Sequence, residues 1–190
     1  SDAVSSHQIA LARQVAEYID IPMVEVQTNE SEDAMYVKND GSACFACKTA
    51  LYSALHAVAG YAGGGHGNVK SSTCSSVSIT TDNTCNVMLF NGTNADDRKD
   101  QTRVGLQAAD NFNVASPLKF VTKDEVRQAA KHLGLPNWNY AASPCLRSRL
   151  AIGVEATRDH LKMIETAENL VKRVLNWEYD VAKDFRVRLL

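Results

Sequence analysis

Apolar residues recur at helical spacing in four stretches of the chain. In residues 6–19, for example, Ile9 and Val15 fall on one side of a 3.6-residue period. Another stretch opens with the capping-box sequence Thr122–Glu125, a typical helix start, and is followed by Gly134, a typical stop. The sequence therefore predicts helices over residues 6–19, 47–60, 122–133 and 157–175.

Three shorter apolar stretches are typical of β-strands. Residues 22–27 are β-branched and apolar, residues 86–91 match a buried strand, and residues 184–190 alternate apolar with polar positions. The first two flank the helix expected from Cys47, and the order strand, helix, strand is typical of a parallel βαβ unit. The sequence therefore predicts an α/β fold built on a parallel sheet.

Two segments show neither the helical period nor the alternation of a strand. Residues 29–41 are polar and predict a loop. Residues 61–85 are biased towards Gly, Ser and Thr, which predicts a long flexible insertion without a core of its own.

Composition and charge narrow the classes of protein that fit this pattern. The chain has 190 residues, 45% of them apolar, which suffices for a sizeable core. Its 20 Lys and Arg against 22 Asp and Glu exclude an acidic disordered tail and the basic surface of a phosphate-gripping nucleic-acid binder. No apolar run approaches the ~20 residues that span a bilayer, and the first residues lack a signal peptide's apolar segment. We expect a cytoplasmic or organellar protein whose partner is neither a membrane nor a nucleic acid.

The five cysteines are an odd number in a chain too large to need disulfide staples, which favours metal or redox use in a reducing compartment. Cys44 and Cys47 form a C-x-x-C unit at the predicted start of a helix, followed by Lys48. A helix N-terminus and a neighbouring cation both favour thiolates, and two cysteines are half of a four-ligand metal site. The pair is also explained by two cysteines that belong to the hydrophobic core and have no chemical role.

The acidic loop after the second predicted strand is a candidate ligand site. Residues 89–97 read LFNGTNADD and would lie at the carboxyl end of the sheet, where open α/β folds bind ligands. Small residues let backbone N–H groups approach phosphate, and carboxylates can hold Mg²⁺. A solvated acidic turn accounts for the loop about equally well.

Arginines accompany a third cysteine near the end of the chain. Cys145 follows a proline, and Arg147 and Arg149 come two and four residues later. Guanidinium groups there can stabilise a thiolate or bind phosphate in a bidentate manner. Arg186 and Arg188 share one face of the last predicted strand, and a simple exposed strand face would also explain them.

These motifs occur in an order that resembles a known enzyme family. The order is C-x-x-C-K, then LFNGTNADD with D-x-x-R-x-G-x-x-A-A, then V-x-S-P-L, then T-K-x-E-V-R-x-x-A-x-x-L-G-L-P-x-W, then A-S-P-C-L-x-S-R and F-R-V-R. It is similar to the LarE family of ATP-dependent sulfur transferases, within the PP-loop ATP pyrophosphatase superfamily. The resemblance covers nearly the whole chain outside residues 61–85.

The resemblance implies a Rossmann-like PP-loop domain over residues 1–140 and a small α+β region for substrate and sulfur transfer over residues 141–190. It implies that ATP and Mg²⁺ adenylylate a carboxylate of a pyridinium dicarboxylate mononucleotide. The carboxylate then becomes a thiocarboxylate of the nickel-pincer nucleotide cofactor. Sulfur comes either from a sacrificial cysteine, left as dehydroalanine, or through a [4Fe-4S] cluster held by three cysteines. The expected partner is a small-molecule nucleotide, and a homo-oligomer stays open.

The same resemblance assigns roles to individual residues. Cys145 falls at the family's Pro-Cys position and is the expected catalytic cysteine. We expect Cys44 and Cys47 to converge with it as cluster ligands, because a purely sacrificial enzyme has no chemical reason to keep a C-x-x-C. ATP and Mg²⁺ contacts are expected from Gly92, Thr93, Asn94, Asp96, Asp97 and Arg103, and substrate or phosphate contacts from Lys48, Ser148, Arg149, Arg186 and Arg188.

One family motif has no counterpart in the chain. The Ser-Gly-Gly-x-Asp-Ser loop that cradles the ATP pyrophosphate is absent, so we expect an incomplete domain that binds ATP weakly and is also truncated at its C-terminal end. Two alternatives stay open. A tRNA-thiolation enzyme of the same superfamily is disfavoured by the near-neutral charge. A non-catalytic zinc fragment using Cys44, Cys47, Cys74 and Cys85 is disfavoured by their spacing.

Overall fold

A computed structural model describes residues 1–61, 88–100, 104–176 and 185–190, the last three residues of the first range by their backbone alone. The helices are α1 (Ser6–Tyr18), α2 (Ala34–Lys38), α3 (Ala43–Tyr61), α4 (Ala95–Lys99), α5 (Gly105–Asn111), α6 (Lys123–His132) and α7 (Arg158–Val174). Two 3₁₀ turns, Glu30–Glu32 and Leu146–Arg149, precede α2 and α7 respectively. None of the described helices is long and apolar enough to cross a membrane.

The predicted helix over 122–133 is confirmed as α6, and its capping box forms. Thr122 Oγ1 accepts a hydrogen bond from Glu125 N at 3.3 Å, and the Glu125 carboxylate accepts one from Thr122 N at 2.7 Å. Gly134 follows with φ +71°, the left-handed conformation that ends many helices. Local sequence signals are therefore sufficient to set both ends of α6.

The predicted helices over 6–19 and 157–175 are confirmed as α1 and α7. The Ser5 side chain accepts from Gln8 N, and Thr157 Oγ1 accepts from His160 N at 3.2 Å. These caps satisfy N–H groups that have no partner inside the helix. In α7, Leu161 and Ile164 form a buried stripe at the predicted spacing.

Helix α3 begins at Ala43 rather than at Cys47, where the apolar pattern alone places its start. The preceding turn explains the difference. Asp40 Oδ1 accepts hydrogen bonds from Ser42 N at 3.2 Å and Ser42 Oγ at 2.6 Å. The Ser42 carbonyl then accepts from Phe45 N and starts the helical ladder. Both cysteines of the C-x-x-C unit consequently lie within the first turns of α3.

The prediction of an α/β fold with a parallel sheet is wrong for the described part of the chain, which contains no β-strand. Two isolated parallel bridges, Phe90 with Ala115 and Leu150 with Leu189, are the β pairings found there. Residues 22–27 have no strand partner, and a strand that lacks one cannot satisfy its backbone groups. Because the described residues contain no sheet, the predicted Rossmann-like and α+β arrangements are wrong for them as well. Residues 86, 87 and 184 lie outside the described ranges.

The predicted loop over 29–41 is wrong in part, since it contains the first 3₁₀ turn and α2. The Asp33 side chain accepts from Met35 N at 2.7 Å and caps α2. Asn39 ends α2 at φ 52° and is buried. These polar residues stabilise short helices instead of a solvated loop. The predicted flexible insertion, residues 61–85, lies almost entirely outside the described residues.

The larger hydrophobic core joins residues on both sides of position 140. Leu146 N donates to Ala3 O at 2.8 Å, which brings the start of the chain against the second 3₁₀ turn. The buried members are Ala3, Tyr36, Ala43, Ala46, Leu146, Leu150, Ala156, Leu161 and Ile164. A smaller core contains Tyr52, Ala108, Ala109 and Val114, where α5 packs on α3. Cys47 and Cys145 pack against the larger of these two cores.

Candidate functional site

The two cysteines of α3 face different surroundings. Cys44 is exposed, whereas Cys47 is half-buried and packs against the larger core. Burial raises the pKa of the Cys47 thiol, and the nearby Glu30 carboxylate and Cys145 thiol raise it further. Cys47 therefore holds its proton more firmly than an ordinary cysteine does.

Cys145 lies in the same neighbourhood as the α3 cysteines. It is half-buried and packs against the same core as Cys47. Both thiols lie near Tyr36, whose phenolic pKa is raised, first by burial and then by Cys47 and Cys145. The structure therefore brings together cysteines that are about 100 residues apart in the sequence.

Arg147, one of the two arginines expected to stabilise a thiolate or bind phosphate, connects these elements. Its Nη1 donates to Asn39 Oδ1 at 2.7 Å, and its Nη2 donates to Cys44 Sγ at 2.7 Å. Asn39 in turn donates from Nδ2 to Ala151 O at 2.9 Å. A positive charge thus lies against the exposed sulfur of the C-x-x-C pair. Its position two residues after Cys145 was the available sequence signal.

The backbone carbonyl of Cys145 accepts hydrogen bonds from three donors. They are Ser148 N at 2.9 Å, Ser148 Oγ at 2.7 Å and Arg149 Nη1 at 3.0 Å. Arg149 also donates to the carbonyl of Pro144. The cysteine therefore sits on a tightly held turn, with a cation beside its own carbonyl oxygen.

Arg149 is buried, which bears on its predicted contact with substrate phosphate. It is 5% exposed, and its Nε donates to Glu168 Oε1, which is equally buried, at 3.0 Å. Val187 N donates to the same carboxylate oxygen at 3.2 Å. The Arg149 guanidinium and its partner Glu168 thus connect α7, the Cys145 turn and the last described segment. Ser148 makes its hydrogen bond within the Cys145 turn.

Glu30 and Tyr36 are buried polar residues that the sequence analysis missed. Glu30 is 2% exposed and Tyr36 is 1% exposed. Neither carboxylate oxygen of Glu30 has a hydrogen-bond partner, and neither does the Tyr36 hydroxyl. Burying such groups unpaired is costly, so they mark this region as more than a structural core. Both fall in the segment predicted to be a polar loop.

The cysteines do not form a metal centre as placed. No group of three or more His, Cys, Asp or Glu side chains in the described ranges is arranged to hold a metal ion. The expectation that Cys44, Cys47 and Cys145 together ligate a [4Fe-4S] cluster is therefore unsupported. Cys74 and Cys85, required for the zinc alternative, lie outside the described residues.

The acidic loop is organised by hydrogen bonds of its own. Asn94 Oδ1 accepts from Asp97 N at 3.1 Å, and Asp97 Oδ2 accepts from Asn94 N at 3.2 Å, which is a capping box for α4. Thr93 N donates to the side chain of Asn91 at 3.0 Å. Gly92 is exposed, with open space where a Cβ would stand. A ligand can therefore approach the backbone at Gly92.

Asp96 links α4 to α6. It accepts from Lys123 N at 2.9 Å and from Lys99 Nζ at 2.7 Å. These contacts, the backbone N–H of Lys123 first, lower the pKa of Asp96. A Mg²⁺ ion at this carboxylate would compete with both donors.

The remaining predicted site residues that the structure describes lie on α3 and in the last described segment. Lys48 is exposed on α3, and its Cγ would lie 3.3 Å from a Cβ placed on Gly105. Arg186 is half-buried and Arg188 is exposed in the last described segment. Arg103 lies outside the described residues.

Comparisons with known proteins give a partial assignment. No protein-family model matches the chain. It is 31% identical over 176 residues to an uncharacterized protein of Synechocystis sp., an alignment that covers 92% of this chain and 57% of that protein. It is also 31% identical over 88 residues to a glutamine-hydrolyzing GMP synthase of Caldanaerobacter subterraneus subsp. tengcongensis, covering 44% of this chain and 17% of the synthase.

The chain thus spans little more than half the length of the first relative and a small part of the second. The second similarity indicates the PP-loop superfamily at a coarse level. Neither name specifies sulfur transfer.

Proposed function

We propose that the chain is an ATP-dependent sulfur transferase of the PP-loop superfamily and of the LarE type. The observation that carries the proposal is the position of Cys145. Cys145 lies near the Cys47 thiol, on a turn whose carbonyl oxygen accepts hydrogen bonds from Ser148 and Arg149.

The use of ATP is supported by three observations. The partial similarity to a GMP synthase favours an ATP-using PP-loop-type enzyme. The motif order of the chain favours the LarE type within that superfamily. The exposed backbone at Gly92 offers a surface for the nucleotide. The proposal concerns the chemistry and does not depend on a parallel sheet.

The proposed reaction has two stages. A carboxylate oxygen of the pyridinium dicarboxylate mononucleotide attacks the α-phosphorus of ATP, and pyrophosphate leaves. The Cys145 thiolate then attacks the acyl carbon, and AMP leaves with its bonding electron pair. The product is a thioester between substrate and Cys145.

The turn around Cys145 suits the step that would release the sulfur. Loss of the Cys145 Cα proton to a solvent base places negative charge on the Cys145 carbonyl oxygen. That oxygen already accepts bonds from Ser148 and from the Arg149 guanidinium, and such preorganised donors stabilise developing charge. The Cβ–Sγ bond then breaks, the thiocarboxylate departs with the sulfur, and dehydroalanine remains at position 145.

The test follows both stages in one reaction. The protein is incubated with Mg²⁺, ATP and pyridinium dicarboxylate mononucleotide, and we measure pyrophosphate release and intact protein mass. We expect pyrophosphate release and the loss of one H₂S unit from the protein, located at Cys145 by peptide mapping. Cys145→Ser should still release pyrophosphate but should not change in mass.

Two further variants sharpen the test. Ser148→Ala removes one donor to the Cys145 carbonyl and should slow the mass loss by about tenfold to a hundredfold, with pyrophosphate release unchanged. Cys44→Ser is the matched control and should lose mass as the wild type does. Pyrophosphate release without mass loss in the wild type would contradict Cys145 as the sulfur donor.

A further inference from the structure

The C-x-x-C pair has no part in the proposed sulfur transfer, yet the structure gives its two thiols complementary properties. Cys44 is exposed and its sulfur accepts a hydrogen bond from Arg147 at 2.7 Å. Cys47 is half-buried, one helical turn further along α3. An accessible sulfur beside a cation is suited to attack, and a shielded one is suited to resolve.

A buried carboxylate lies in the 3₁₀ turn Glu30–Glu32, which contacts α3. Glu30 is 2% exposed, has no hydrogen-bond partner on either oxygen, and acts electrostatically on Cys47. The half-buried Cys47 thiol has only restricted access to water. Glu30 is therefore placed to receive that proton when Cys47 reacts.

We propose that Cys44 and Cys47 form a dithiol site that exchanges with disulfide substrates, with Cys44 as the attacking thiol, Cys47 as the resolving thiol and Glu30 as the proton acceptor. The substrate class is small-molecule disulfides of the glutathione type. This activity goes beyond the proposed sulfur transfer and does not require it.

The steps balance as an ordinary two-electron exchange. The Cys44 thiolate attacks one sulfur of the disulfide R–S–S–R, a mixed disulfide forms, and R–S⁻ leaves. Cys47 then attacks Cys44 Sγ, its proton passes to Glu30, and the second R–S⁻ leaves. The protein is oxidised to a Cys44–Cys47 disulfide, and the substrate is reduced to two thiols.

The helix geometry permits the final bond. Residues three apart in an α-helix have Cα atoms separated by about 5 Å, within the range of about 4.4–6.8 Å found for disulfides. Cys44 is in the first turn of α3, where the backbone has the fewest helical hydrogen bonds to lose. The proposed disulfide therefore distorts only the beginning of the helix.

The experiment uses the full chain and glutathione disulfide. Reduced protein is mixed with the disulfide, quenched by alkylation at set times, and analysed by mass spectrometry of peptides. We expect the wild type to form a Cys44–Cys47 disulfide. Cys47→Ser should instead accumulate glutathione on Cys44, and Cys44→Ser should form any adduct at least about tenfold more slowly.

The role of Glu30 is tested by a pair of variants in the same 3₁₀ turn. Glu30→Gln should slow the resolving step by about tenfold or more while adduct formation keeps its rate, because only the second step needs the proton acceptor. Glu32→Gln alters an exposed carboxylate and should change neither step. Circular dichroism of each variant establishes that the helices are intact, and Cys47→Ala replaces Cys47→Ser if the latter does not fold.

Three results would overturn the proposal. They are a wild type that stays reduced in excess disulfide, a disulfide that maps to Cys145 instead of the pair, and equal resolving rates for the two glutamate variants. None of these depends on ATP or on the nucleotide substrate. Failure of the dithiol site is therefore distinguishable from failure of the sulfur-transfer proposal.

Discussion

The buried ion pair between Arg149 and Glu168 offers the sharpest test of how the Cys145 turn is held. Both residues are 5% exposed, and the Glu168 carboxylate accepts from Arg149 Nε at 3.0 Å and Val187 N at 3.2 Å. Glu168→Ala removes the carboxylate but leaves the guanidinium buried. It also leaves the half-buried backbone N–H of Val187 without that acceptor.

The expected magnitude follows from these contacts. Breaking a buried pair by removing one partner costs about 3–5 kcal/mol, mostly because an uncompensated charge stays buried. Glu168→Gln keeps an oxygen acceptor for Arg149 Nε and should cost about 1.5–3 kcal/mol, the usual value of a charged hydrogen bond. The double variant Arg149→Met with Glu168→Leu removes both charges and should cost less than Glu168→Ala alone.

Urea unfolding followed by circular dichroism measures all three free energies. Glu168→Ala should lower the free energy of unfolding the most. Glu168→Gln and the double variant should each lower it by less than Glu168→Ala does. A loss of less than about 1 kcal/mol for Glu168→Ala would show that the pair is effectively solvated, since exposed pairs contribute only that much. The inference that the buried pair of Arg149 and Glu168 holds the Cys145 turn would then be wrong.

Three further predictions concern single positions. Gly134→Ala should destabilise the protein by about 1–2 kcal/mol, because Gly134 has φ +71° and an added Cβ would lie 2.8 Å from Tyr18 Oη; unchanged urea unfolding would contradict this. Leu161→Ala should cost about 2–5 kcal/mol as a buried core truncation, against less than about 1 for the exposed Leu170→Ala on the same helix. The pKa of Asp40 is lowered to about 2 by the hydrogen bonds it accepts at the start of α3, so its stabilising effect is present above pH ~4 and is lost as pH falls towards 2. Asp40→Asn should flatten that part of the pH–stability curve, and an unchanged slope would exclude Asp40 as its source.

Helices with local caps could be predicted from the sequence, whereas pairing between distant segments could not. Thr122 and Glu125 fix the start of α6 within four residues of each other. The apolar run at 22–27 reports only that its residues are suited to a strand. Whether a strand forms depends on a neighbour, and the described chain supplies none for these residues. An apolar alternation is therefore a weaker signal than a cap.

The chemistry of the site was predictable in its residue types more than in its geometry. The three cysteines were singled out by their motifs, and the structure places them in one neighbourhood. The sequence could not show that Arg149 is buried or that Arg147 contacts Cys44, because burial depends on how α7 packs. The burial of Glu30 could not be predicted, because its neighbours in the sequence are polar. In the structure it is among the most buried of the described charged residues.

The contact between the start of the chain and α7 has a consequence for biosynthesis. Ser6 N donates to Glu165 Oε1 at 2.7 Å across 159 residues of sequence. A chain emerging from the ribosome cannot close this contact, or bury Ala3 and Tyr36 against their partners in α7, until α7 has been made. The thiols of Cys47 and Cys145 therefore lie against an unfinished core until α7 has been made. Chaperones and the reducing state around the ribosome then matter for it more than for a protein assembled from local contacts.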